Sequence, residues 1–83
     1  MQGMEPLEIL DYDEIEKVWT LGGKRLRPHQ WVEVSVYDTG WVPLRYERGR
    51  DKEGSPRPYF VLPLSIGQAR VELPPKLLAR RFR

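Results

Sequence analysis

Apolar and polar side chains alternate from Trp31 to Glu47, interrupted once at Asp38-Thr39-Gly40. Val32, Val34 and Val36 stand between Trp31, Glu33, Ser35 and Tyr37, and after the turn Val42, Leu44 and Tyr46 stand between Trp41, Pro43, Arg45 and Glu47. A period of two sends successive side chains to opposite faces of a strand, so this segment predicts a β-hairpin with its valines and Leu44 turned to a core. Trp31, Tyr37, Trp41 and Arg45 then share the other face. Pro43 has no N–H to give a ladder, which predicts an edge or a bulge there.

The same reading extends along the chain. Leu7 to Tyr12 predicts a first strand, because its apolar residues, continued through Ile15 and Val18, scatter round a helical wheel instead of forming a stripe. A turn at 13–16, a strand at 17–21 and a tight turn at Gly22-Gly23 follow, the glycines supplying positive φ without steric cost. Residues 25–30 are a polar connection broken by Pro28, and 49–58 (GRDKEGSPRP) a polar mobile loop. Strands are predicted at 59–64 and 68–73 around a short turn at 65–67, with Ala69, Val71 and Leu73 facing inward. Pro74-Pro75 ends the last strand and suits a helix start. Leu78 and Phe82, one helical turn apart, predict a short C-terminal helix, and Arg80, Arg81 and Arg83 complement the negative end of its dipole. The expected fold is therefore all-β: a small SH3-like barrel of five or six antiparallel strands over about 7–73, with a short basic C-terminal helix or tail at 74–83, in one domain of 83 residues.

Composition sharpens this in three ways. A chain of this length buries only about 60–65% of its unfolded surface, so three Trp, four Tyr and two Phe must carry much of the core. Absence of Cys removes disulfides, thiolate metal sites and a Cys nucleophile. The first residues show no basic stretch followed by an apolar one, and no apolar run approaches the ~18 residues of a membrane span, so a cytoplasmic protein without a membrane partner is expected. Ten Arg against four Lys, eight Pro and no Asn suit a thermophilic source.

The order Leu10-Asp11-Tyr12-Asp13-Glu14, Val18-Trp19-Thr20-Leu21-Gly22-Gly23, Val32-Glu33-Val34, Gly40-Trp41-Val42-Pro43-Leu44-Arg45-Tyr46-Glu47 and Tyr59-Phe60-Val61-Leu62 resembles a family of small bacterial and phage domains of unknown function with SH3-like barrel character. The resemblance covers about residues 7–73 and implies a fold; it implies no activity and carries over no catalytic residue. The 49–58 loop and the tail from Lys76 depart from the family's compact pattern.

Charge is divided along the chain. The net of +2 hides six acids and no base in residues 1–16, followed by fourteen bases against six acids from Lys17 onward, a local net of +8. Such a division marks either a basic binding surface beside an acidic arm or ordinary pairing within the fold. Enzyme chemistry finds little footing. His29 has no accompanying set of zinc ligands and no Ser–acid partner arrangement; Asp11, Asp13, Glu14 and Glu16 lack the spacing of a calcium loop; Gly22-Gly23-Lys24 lacks the spacing of a phosphate loop. No catalytic residue, metal or cofactor is expected. Binding has better footing. Trp31, Tyr37 and Trp41 interleaved with Arg45 can stack bases, while Arg48, Arg50, Lys52 and Arg57 on the loop, with Arg80 and Arg81 on the tail, can meet phosphates. The leading expectation is a nucleic-acid-binding module, monomeric or weakly dimeric. The alternatives are that Trp31 and Trp41 serve burial with Arg45 packed on an indole, or that the aromatic face docks a protein.

Overall fold

A computed structural model describes residues 6–36 and 40–82, so Tyr37 and Arg83 fall outside the described residues, as does the side chain of Val36. Its regular elements are all strands: β1 (Glu8–Asp13), β2 (Val18–Leu21), β3 (Lys24–Arg25), β4 (Trp31–Val36), β5 (Gly40–Glu47), β6 (Tyr59–Leu64), β7 (Gly67–Val71) and β8 (Lys76–Arg81). They form one antiparallel sheet in the order β3-β2-β1-β8-β4-β5-β6-β7.

The sheet is two meanders, β1–β3 and β4–β7, joined by β8. The hairpin at 31–47 forms as its alternation predicts, with Val34 opposite Val42 and Val32 opposite Leu44. Val32, Val34, Leu44 and Tyr46 are buried, whereas Trp31, Trp41 and Arg45 lie half-buried on the other face. Gly22 and Gly23 take φ of 59° and 83°, making the two-residue turn from β2 to β3. Gly22 is required twice over, because a Cβ there would come within 2.1 Å of the Glu8 carboxylate. Pro43 opposes Glu33 on β4, while β5 meets β6 only from Arg45 to Glu47, so the proline sits where one side of β5 is an open edge.

The C-terminal helix is not formed; residues 76–81 are the strand β8. A spacing of four, as between Leu78 and Phe82, fits one turn of helix but equally fits one face of a strand, so the pattern could not discriminate. What decides is the tertiary slot: β8 pairs with β1 on one side (Leu10 opposite Leu77) and with β4 on the other (Val34 opposite Ala79). An eight-residue helix could not offset the two sheet edges left open without it. Arg80 and Arg81 therefore point to opposite faces, and no helix dipole is present for them to complement.

The barrel does not close. The sheet curls until Trp19 on β2 packs edge-on against Phe60 on β6, ring centroids 5.1 Å apart, although four strands separate them in the sheet. The Trp19 N–H donates to the Tyr46 hydroxyl at 3.3 Å, and Tyr12 and Tyr46 complete the aromatic cluster. Yet among the described residues no backbone ladder joins the two ends of the sheet. Closure would need a strand partner for β7, and β3 offers two exposed, charged residues, while Pro56 and Pro58 in the gap carry no N–H. An open seam remains. Leu26, which the sequence placed in a polar connection, is 2% exposed and belongs to the core, its N–H donating to the Trp19 carbonyl.

Candidate nucleic-acid interface

The seam is built by the segment between β5 and β6. Polar though it is, this segment is internally hydrogen-bonded. Arg50 and Pro56 form a β-bridge, the Asp51 carboxylate accepts the N–H groups of Glu53 and Ser55, and Arg50 donates to the Gly54 carbonyl at 2.7 Å. Asp51 is thus engaged by its own turn, as the short side chain of Asp favours. The stem, Arg48 to Arg50 and Pro56 to Pro58, shares a cleft with Lys17, Val18 and Arg25.

Two clefts meet there. The first, about 490 Å³, is lined by Lys17, Arg25, Arg48, Arg50 and Arg57, with Glu16 the one acid, held by Arg25 at 2.7 Å. The second, about 570 Å³, is lined by Tyr12, Trp19, Tyr59, Phe60 and Arg70 together with the acids Asp51 and Glu72, and shares Lys17, Pro56, Arg57 and Pro58 with the first. The shared residues make one groove with a cationic arm and an aromatic arm. A third cleft of about 730 Å³ lies on the other side of β3, shares Arg25, and carries Lys24, Arg27, His29 and Arg81. Among the described residues Lys17, Lys24, Arg27, Arg48, Arg50, Arg57 and Arg70 make no ion pair. Holding such a set of like charges side by side costs free energy through mutual repulsion, which a polyanion would relieve.

The outer face of β4, β5 and β8 differs. Arg80 donates to Glu33 at 2.8 Å and lies 4.1 Å over the Trp41 ring; Arg45 pairs with Glu47 and stands 5.8 Å from the centre of the Trp31 ring. Glu33 and Glu47 do not oppose one another: Glu33 faces Pro43 and Arg80, and Glu47 faces Tyr59. Glu47 is nearly buried. Burial alone would push its carboxyl up, but hydrogen bonds from His29 and Arg45, and the charges of both, outweigh this and hold it below its ordinary value of 4.5. His29 reaches it with Nδ1 2.9 Å from Oε1, from a backbone with φ of 72° whose N–H donates to the Tyr46 carbonyl.

The residues singled out in the sequence are thus divided. Arg48, Arg50 and Arg57 come together in the groove; Lys52 is exposed at the loop tip; Arg81 lines the third cleft and lies 3.5 Å from Glu8. Trp31, Trp41, Arg45 and Arg80 occupy the outer face, and Tyr37 lies outside the described residues. Sequence reasoning missed Tyr12, Lys17, Arg25, Tyr59 and Arg70, which only the curl of the sheet brings to the groove. Arg70 carried a signal in the alternation of 68–73, which turns it away from the core. Among the described residues no three His, Asp or Glu side chains gather to hold a metal ion. The fold and groove define a small all-β protein with a basic open seam; no protein-family model, curated protein or solved structure matches the chain.

Proposed function

We propose that this chain is a non-enzymatic nucleic-acid-binding module that takes the sugar-phosphate backbone into its open seam. The observation that carries the reading is the cationic arm: five Lys and Arg side chains on one concave wall, four of them without an acidic partner among the described residues. Guanidinium groups suit this task because each offers several donors in a fixed fork to phosphate oxygens. The reading invokes binding and no chemical step. Binding that neutralises about five phosphates on a single strand should weaken with salt at a log–log slope of about −3.5. Fluorescence anisotropy of labelled oligonucleotides between about 50 and 200 mM salt tests this. Affinity indifferent to salt, or no binding at the low end, would defeat the reading.

A second reading, docking of a protein partner, draws on the outer face. Leu7, Ile9, Leu78 and Phe82 are each between 42% and 54% exposed there, Ile9 sits beside Leu78, and the Phe82 and Trp31 rings lie 5.7 Å apart. Aromatic and Arg side chains with internally paired charges resemble the centre of a protein interface. Pull-down on this face, compared with a Leu78→Glu variant, measures that reading separately.

A further inference from the structure

The groove separates two chemistries along its length, and that separation bears on which nucleic acid it takes. This step rests on the proposed function. At one end cations dominate, with Glu16 taken up by Arg25; at the other, past Lys17 and Arg57, rings form much of the wall, beside the carboxylates of Asp51 and Glu72. Tyr59 is the centre of that second arm. The Arg70 guanidinium lies 3.9 Å over its ring and is exposed, so the pair forms a ledge with a planar cation on top. Gly49 backs the ring: a Cβ at that position would stand 3.0 Å from the Tyr59 Cε1 and 3.2 Å from the Arg57 carbonyl, closer than ordinary contact. Tyr12 forms another part of the wall, steadied by Trp19, with ring centroids 5.3 Å apart.

Inside a duplex each base shows only its edge, because its faces are covered by its neighbours. A wall of rings topped by a guanidinium that already lies flat over Tyr59 offers stacking surface rather than a helix or ribbon shaped to enter a groove. It can bind a face, and a face is free only in an unpaired nucleotide. We infer that the groove selects single-stranded nucleic acid, holding phosphates on the arm of Arg48, Arg50 and Arg57 and an unstacked base against the Tyr12–Tyr59–Arg70 arm. Hydroxyl-specific contacts do not enter, so RNA and single-stranded DNA are two sources of the same chemistry.

The test uses the intact chain and labelled probes of about twelve nucleotides, within the range of site sizes that small β domains occupy on single strands. The probes are oligothymidine, oligouridine, a duplex of the same length, and an abasic sugar-phosphate oligomer, all at about 50 mM salt. At least one base-bearing single strand should bind about tenfold or more tighter than the abasic oligomer, within the range for stacking one base on an aromatic, and tighter than the duplex. Tyr59→Leu should erase most of that advantage while leaving the salt slope unchanged, and Arg57→Gln should lower the slope and leave the advantage. Equal affinity for abasic and base-bearing strands, or preference for the duplex, would overturn the inference while leaving the phosphate reading intact. Absence of binding to every probe would remove both. Should Tyr59→Leu fail to fold by circular dichroism, the abasic comparison on the unaltered protein decides alone.

Discussion

The groove and the outer face contain the same kinds of side chain in opposite electrostatic states. On the outer face each Arg lies near an indole and is paired with a Glu, so the face is neutral and its rings are partly covered. In the groove Arg48, Arg50, Arg57 and Arg70 make no ion pair among the described residues, and the rings that line it are Tyr12, Trp19, Tyr59 and Phe60, with Arg70 over Tyr59. The contrast arises from register. Antiparallel pairing puts Glu33 directly beside Arg80, whereas Arg48, Arg50 and Arg57 lie outside the named strands, and the acids that share their groove, Glu16, Asp51 and Glu72, are not brought into ion pairs with them. On the proposed reading, an Arg next to an aromatic marks a binding surface only where its charge is left over.

The largest effect should come from removing the contact that brings the two ends of the sheet together. Phe60→Ala should cost about 3–5 kcal/mol in denaturant unfolding, through lost burial and a cavity beside Trp19. If the variant is folded, it should bind nucleic acid poorly because the groove loses its wall. Next, Glu33→Gln removes the partner charge of a largely buried Arg80 and should destabilise by about 1–3 kcal/mol. It should not tighten nucleic-acid binding; a gain in affinity in the anisotropy assay would move the interface to the outer face. A double change, Arg48→Gln with Arg57→Gln, should alter stability by no more than about 0.5 kcal/mol, since neither side chain has an ion-pair partner among the described residues. Its salt slope on a single strand should fall by about 1.4.

The smallest effect is expected from pH. Glu47 is held below 4.5 in the folded state, so the unfolded chain takes up the proton first. The stability this carboxylate contributes is complete above that value and is lost as pH falls through the lower, folded-state pKa. Melting temperatures recorded across the acid range should show the loss, and Glu47→Gln should remove that part of the pH dependence.

Much of the sheet was legible because alternation is a local property. The hairpin at 31–47, the Gly22-Gly23 turn and the strand at 59–64 needed nothing beyond their own residues. Leu26 was not legible, because a single apolar residue in a polar run has no period. The strand β8 was hidden for a different reason: Leu78 and Phe82 obey both periods, and the choice between them belongs to β1 and β4, more than forty residues away in sequence. The groove was half legible. Arg48, Arg50 and Arg57 stand close in the chain, but Lys17 and Tyr12 reach them only because Trp19 folds β2 over Phe60. The outer-face ion pairs were illegible for the same reason, Glu33 and Arg80 being 47 positions apart.

The place of β8 also has a consequence for the order of assembly. A chain made from its N-terminus produces β1–β3, then β4–β7, each half-sheet with an unsatisfied edge, and only then the strand that both edges require. Until residues 76–81 emerge, two templates for strand addition coexist on one nascent chain, and nothing local distinguishes its own β8 from that of a neighbour. Completion of the sheet is thus a long-range event, and crowded synthesis would open the way to exchange of β8 between chains.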